Sequence, residues 1–170
     1  GTSVATSDFF NIYAGAVKMA PVGLSYEPTN YNHIGVFADN TSNAFIGKAG
    51  PMSVNNTQIY FGADVAISPA SGFNYLSGKV SILYYPDAAK HIVTYGNSAN
   101  TKIYYRALTA GSSTFTVGAE TELVTTVGTG SGAYETDLTY NPDQGNLIYS
   151  YTDSAATDAE AVAFSIGSTN

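Results

Sequence analysis

Apolar and polar residues alternate in short runs along this chain, and the runs come in sets. Between residues 58 and 108 four follow one another: QIYFGADVAI, KVSILYY, HIVTYG and TKIYYRAL. Between residues 114 and 166 come four more: TFTVGAETELV, YETDLTY, NLIYSYT and EAVAFSI. Tyr, Ile, Val, Thr and Phe dominate them, residues that suit a pleated surface. The breaks are Pro-Asp, Gly-Asn, Gly-Ser and Asn-Ser clusters, which is turn chemistry. Each run therefore predicts a strand. The stretch closest to an amphipathic helix is DSAATDAEAVAF. It aligns with the strand-rich NSANTKIYYRAL, so it reads as a turn followed by a strand.

The sets are copies of one another. YYPDAAKHIVTYGN begins at Tyr84 and YNPDQGNLIYSYTD at Tyr140, 56 residues on. Without gaps, Gly62 falls on Gly118, Gly72 on Gly128, Pro86 on Pro142, Ile92 on Ile148 and Gly111 on Gly167. A third copy, YEPTNYNHIGVFAD, begins at Tyr26. In each copy Pro is followed nine residues later by an aromatic: Pro28 and Phe37, Pro86 and Tyr95, Pro142 and Tyr151. Spacing and residue type agree together, which marks a structural repeat. One all-β domain over 1–170 is expected, with repeats at about 8–54, 55–112 and 113–170, the first abbreviated.

The third run of each copy also indicates how the sheets pack. One face carries His33, Gly35 and Phe37, then His91, Val93 and Tyr95, then Leu147, Tyr149 and Tyr151. The other carries Ile34, Val36 and Ala38, then Ile92, Thr94 and Gly96, then Ile148, Ser150 and Thr152. A sheet with one wet face alternates more cleanly than this. Stacked four-stranded antiparallel sheets, packed on both sides like propeller blades, fit the pattern. A β-sandwich or prism is the alternative.

These residues also carry a resemblance. Phe61-Gly62 and Val117-Gly118, the three Pro-to-aromatic segments, and Gly111 and Gly167 together resemble the β-propeller-like repeats of tail-fibre and other adhesive proteins of bacteriophages, notably marine ones. The resemblance spans about residues 8–170 and concerns blade shape. It implies a virion-surface or extracellular adhesion module that binds a host receptor, with a glycan as the ligand. Propellers close with about four to eight blades. Three copies fall short, so homo-oligomerisation, as a dimer or a trimer, is expected to complete the assembly.

Composition narrows the function. Hydrophobic residues make up 44% and charged residues only 11%, so polarity rests on Ser, Thr, Asn and Gly. That balance favours a packed domain over disorder and suits secreted or virion-surface β proteins. The six cations, Lys18, Lys48, Lys79, Lys90, Lys102 and Arg106, are scattered, and the net charge is −7. A phosphate backbone needs clustered cations, so neither nucleic acid nor an anionic membrane is an expected partner. There is no Cys, which excludes disulfides, thiolate zinc sites and a Cys nucleophile. The opening GTSVATSDFF has no basic-then-apolar leader, and a first residue other than Met suggests a processed chain or a fragment.

No motif names a reaction. His33 and His91 share a repeat position that holds Leu147 in the third copy, so they read as structural. Asp64 and Glu120 are repeat-equivalent, as are Asp39 and Asp153; paired carboxylates serve glycoside hydrolysis, but repetition suggests turns and edges. Asp153, Asp158 and Glu160, or Asn141 and Asp143, lack the spacing of known calcium loops. No cofactor, metal or catalysis is expected, a glycan depolymerase being the less favoured reading beside a ligand-free fibre component. The 14 Tyr and absent Trp are more suggestive. Sugars bind against aromatic faces, with amides and carboxylates taking their hydroxyls. Tyr31, Asn32, Asn74, Tyr75 and Tyr134, beside polar turns, are the candidate ligand-binding residues.

Overall fold

The computed structural model describes residues 23–30, 32–39, 44–51, 62–67, 80–97, 101–111, 114–125, 136–153 and 158–167. Their strands form three antiparallel sheets, none of them closed. The first contains β1 (Gly23–Glu27), β2 (Asn32–Asp39), β3 (Ala44–Pro51) and β4 (Val65–Ala66), in that order. The second contains β5 (Ser81–Tyr85), β6 (Lys90–Gly96), β7 (Ile103–Ala110), β8 (Phe115–Val117) and β9 (Thr121–Val124). The third contains β10 (Thr136–Asn141), β11 (Asn146–Asp153) and β12 (Asp158–Phe164). The chain is all-β, and the second half of the segment with helical composition, Asp158–Phe164, forms β12.

β8 and β9 are one interrupted strand. β8 pairs with Leu108–Ala110 and β9 with Ile103–Tyr105, along the same edge of β7. Between them Gly118 donates its N–H to the Ala107 carbonyl at 2.8 Å. A Cβ on Gly118 would lie 3.0 Å from that carbonyl oxygen, so the approach requires glycine. The described parts of the sequence runs 58–67 and 114–124 thus do not open new sheets. Each supplies the last strand of the sheet before it. The sheets are displaced from the sequence repeats by one strand.

The second sheet lies between the other two, and β6 is buried from His91 to Tyr95. Its Val93 and Tyr95 pack with Ile34, Val36 and Ile67 of the first sheet, together with Leu108 and Phe115. Its Ile92 packs with Leu138, Leu147, Tyr149, Tyr151 and Ile166 of the third, together with Ile103 and Tyr105. Double burial, expected from the two apolar faces of HIVTYG, is realised here. Each such side chain contributes about 1.5–3 kcal/mol. On β11 the same alternation separates the faces. Leu147, Tyr149 and Tyr151 are buried, Ile148 and Thr152 are half-buried, and Ser150 is exposed.

The repeated Pro-Asp segments form the β5–β6 and β10–β11 connections. Pro86–Ala88 is one 3-10 turn, closed by Ala89 donating its N–H to the Pro86 carbonyl at 3.1 Å. Ala89 sits in the left-handed region with φ 51°, and its repeat counterpart Gly145 has φ 61°. A Cβ there costs about 1–2 kcal/mol, partly offset by the lower flexibility of Ala in the unfolded chain. Ala89→Gly is therefore expected to stabilise the fold by up to about 1 kcal/mol in urea unfolding.

Candidate functional site

β1 and β5 run side by side in the same direction. A Cβ on Gly23 would lie 2.7 Å from Ile82, and Ser25 Oγ is 2.8 Å from Nδ1 of His91, the register partner of Tyr84. β5 and β10 are aligned likewise, with Ser81 Oγ 3.3 Å from Thr136 Oγ1 and the Tyr85 and Tyr140 rings 5.6 Å apart, edge to face. The three hairpin turns, at 28–30, 86–89 and 142–145, therefore reach the same end of the stack. Exposed Thr29, Asn30, Asp87, Asp143 and Gln144 line this rim.

The rim is locked from below. The Tyr85 hydroxyl donates to the Gly145 carbonyl at 2.8 Å, crossing from the second sheet to the turn of the third. The Tyr140 hydroxyl donates to Asp87 Oδ1 at 2.9 Å, crossing back. Burial, and next the Asp87 charge, raise the Tyr85 pKa; burial, and next the hydrogen bond to Asp87, raise that of Tyr140. Both phenols thus remain donors in neutral solution. Asn141 Oδ1 accepts from the Asp143 N–H at 3.1 Å, and Asn30 Nδ2 donates to Glu27 Oε1 at 2.7 Å. Such a rim presents carboxylates and amides at fixed spacings, which suits a ligand rich in hydroxyls.

Gly145 is a tight point of the rim. A Cβ there would stand 2.9 Å from Asp87 Oδ2, in addition to the strain of positive φ. Gly145→Ala is expected to destabilise the chain by about 1–2 kcal/mol and to weaken the Tyr140–Asp87 bond. Urea unfolding of this variant beside Tyr140→Phe measures both effects.

Of the ligand residues expected from sequence, Asn32 opens β2 beside the rim. It is buried, and its register partners are Glu27 and Pro51. Tyr31, Asn74, Tyr75 and Tyr134 lie outside the described residues. Asp87 and Tyr140 were not among the candidates, although the repeated Tyr-x-Pro-Asp pattern was the signal that marks them.

Of the carboxylates weighed for catalysis, Asp39 and Asp153 end β2 and β11, and Glu120 is held by its neighbours. Glu120 Oε2 accepts from the Tyr95 hydroxyl at 2.6 Å and from Arg106 at 3.2 Å. Arg106 also donates to the Tyr95 oxygen and to the Gly118 carbonyl. Burial, and then Glu120, raise the Tyr95 pKa. This network ties the interruption between β8 and β9 to β6 and β7. Asp64 is exposed just before β4, and Glu160 accepts from the Tyr151 hydroxyl. Among the described residues no group of three or more His, Asp or Glu is placed to hold a metal.

Both histidines are buried, His33 at 2% exposure and His91 at 1%. His91 stacks obliquely on Tyr84 at 5.3 Å, and its Nε2 is buried without a hydrogen-bond partner. Burial, and secondarily the nearby His33, lower its pKa to about 4.

A shallow depression of about 260 Å³ opens on the third sheet, lined by Thr136, Asp137, Ser150, Tyr151, Thr152 and Ala159. The register puts Asp137, Ser150 and Thr152 on the face turned away from the second sheet. No protein-family model matches the chain, and no curated protein matches its sequence.

Proposed function

We propose that this chain is an adhesion module of a virion surface or other extracellular assembly, built from blade-like sheets and completed by self-association. Its ligand is a cell-surface glycan held on the hairpin rim, as at the tip of a phage tail fibre. The observation that carries the reading is the rim itself: three aligned turns, the second and third interlocked by Tyr85 and Tyr140, that expose Asn30, Asp87, Asp143 and Gln144. Rigid placement of polar groups lowers the entropy lost on binding a flexible sugar. Repetition of weak sites around an assembly would convert them into firm attachment. Catalysis is not part of the proposal, since Glu120 is engaged by Tyr95 and Arg106.

The interlocking bonds also suit a second reading, a structural fibre component whose rim bonds only to itself. Screening the assembled protein on a glycan array separates the two. Binding to a defined set of glycans is expected, weakened about tenfold by Asn30→Ala with Gln144→Ala, the loss of one or two hydrogen bonds. A rim that captures no glycan would leave the structural reading.

A further inference from the structure

One pair of repeat positions meets a different neighbour on each sheet. Its two residues are register partners on corresponding faces: Gly23 and Val36, then Ser81 and Thr94, then Asp137 and Ser150. Gly23 and Val36 are apolar, and so is what meets them. A Cβ on Gly23 would stand 2.7 Å from Ile82 Cγ2, and Val36 shares a buried cluster with Val93. Ser81 and Thr94 carry hydroxyls, and hydroxyls meet them. Ser81 Oγ lies 3.3 Å from Thr136 Oγ1, and the Tyr149 hydroxyl is hydrogen-bonded with the Thr94 and Thr136 side chains. Tyr149 is the repeat-mate of Val93. The same place is thus filled apolar against apolar on one interface and polar against polar on the next.

On the third sheet the pair, Asp137 and Ser150, is the most polar of the three, and both residues are exposed. Among the described residues no further sheet covers it. The depression of about 260 Å³ lies there instead. Residues directly opposite on paired strands have Cβ atoms about 4.5–5.5 Å apart, so one small molecule can touch both side chains. Across from Thr152 and Ser150, β12 places only Ala159 and Ala161, which add little bulk. Asp137 Oδ1 accepts the Leu138 N–H at 2.9 Å. An ionised carboxylate accepts about four hydrogen bonds, so this one keeps acceptor capacity for a ligand.

We infer that the depression is a saccharide subsite, in which the Asp137 carboxylate accepts from neighbouring hydroxyls of one sugar ring and Ser150 bonds to the same ring. An apolar filler of the kind that meets Gly23 and Val36 would strip water from Asp137 and return no hydrogen bond. A group rich in O–H donors satisfies the carboxylate with short, charge-assisted bonds. The volume lies below the roughly 300–1,000 Å³ of pockets for drug-sized ligands, so it suits one ring rather than a chain. The subsite is separate from the hairpin rim. Asp137 precedes Pro142 by five residues, about 17 Å of extended strand. One ring cannot touch both places, and the inference does not depend on the rim reading.

The test is amide NMR of the isotope-labelled 170-residue chain, titrated to tens of millimolar with the methyl glycosides of glucose, galactose, mannose and N-acetylglucosamine. At least one glycoside is expected to shift the amides of Asp137, Ser150 and Thr152, with the millimolar affinity of a single ring in a shallow site. Asp137→Ala should weaken that binding about tenfold or more, as for hydrogen bonds to a charged group, and Ser150→Ala about fivefold. Both positions are exposed, and unchanged amide positions elsewhere confirm that each variant is folded. Asn30→Ala with Gln144→Ala should leave this titration unchanged. The inference is overturned if no glycoside shifts these amides or if the shifts survive Asp137→Ala. It is overturned equally if lysine methyl ester, an ammonium probe, binds here more tightly than every glycoside. A titration that behaves as expected while the rim variant leaves all glycan-array binding intact overturns the rim reading alone.

Discussion

Ile92→Ala is expected to lower the stability of the chain by about 3 kcal/mol or more in urea unfolding, whereas Ile148→Ala lowers it by about 1 kcal/mol in dilute solution. The two residues hold the same repeat position and the same kind of strand. Ile92 is fully buried among Leu138, Leu147, Tyr149 and Tyr151, and its removal leaves a cavity between two sheets. Ile148 is half-buried on a face without a following sheet among the described residues, so truncation removes less contact area. Equal losses at the two positions would show that the stacking of the second and third sheets is not what makes the core. If the third sheet is covered by a second copy, the loss at Ile148 should grow with protein concentration.

Acid should weaken the fold through His91. Its folded pKa is lowered to about 4 from an ordinary 6.5, first by burial and then by His33. Between those values the unfolded chain binds a proton that the folded chain refuses, so stability falls as pH falls. The loss begins near pH 6.5, reaches about 2 kcal/mol by pH 5 and levels off below pH 4 at about 3 kcal/mol. The upper part of this window lies above the ordinary titration of carboxylates, which isolates the histidine contribution. Unfolding midpoints in urea at pH 7, 6 and 5 measure it. His91→Leu should flatten the profile, and Leu147 at the same repeat position shows that the site shape accepts leucine. That variant also removes the partner of Ser25 Oγ, at a cost of about 1 kcal/mol that does not vary with pH. An unchanged slope in His91→Leu would assign the acid sensitivity elsewhere.

Much of the strand content was legible because β-branched and aromatic runs broken by Pro-Asp and Gly-Asn leave few other structures. Two apolar faces on HIVTYG correctly implied burial on both sides of β6. The ligand residues were less legible. A Tyr beside an Asn has the same local appearance whether it faces solvent or a neighbouring sheet. Asn32, read from its neighbours as a surface amide, is buried where β2 begins. The repeated Tyr-x-Pro-Asp pattern marks Asp87 and Tyr140, but their contact across 53 residues joins two copies of it and is set by the stacking of the sheets.

By itself the sequence determined an all-β chain with a repeated hairpin, closed by proline and by residues that accept positive φ, because those preferences act over a few residues. Tertiary structure alone decided which strand completes which sheet. A repeat can be divided at any point of its period without changing its self-similarity, so alignment cannot assign the runs 58–67 and 114–124 to one sheet or the next. Gly111 donates to the Thr114 carbonyl at 2.7 Å, and β8, a few residues after β7 in the chain, pairs back onto it. Closing a short loop loses less entropy than reaching β10 beyond residue 125. That displacement by one strand, with the stacking order of the sheets, is what sets the first and third sheets on opposite sides of β6.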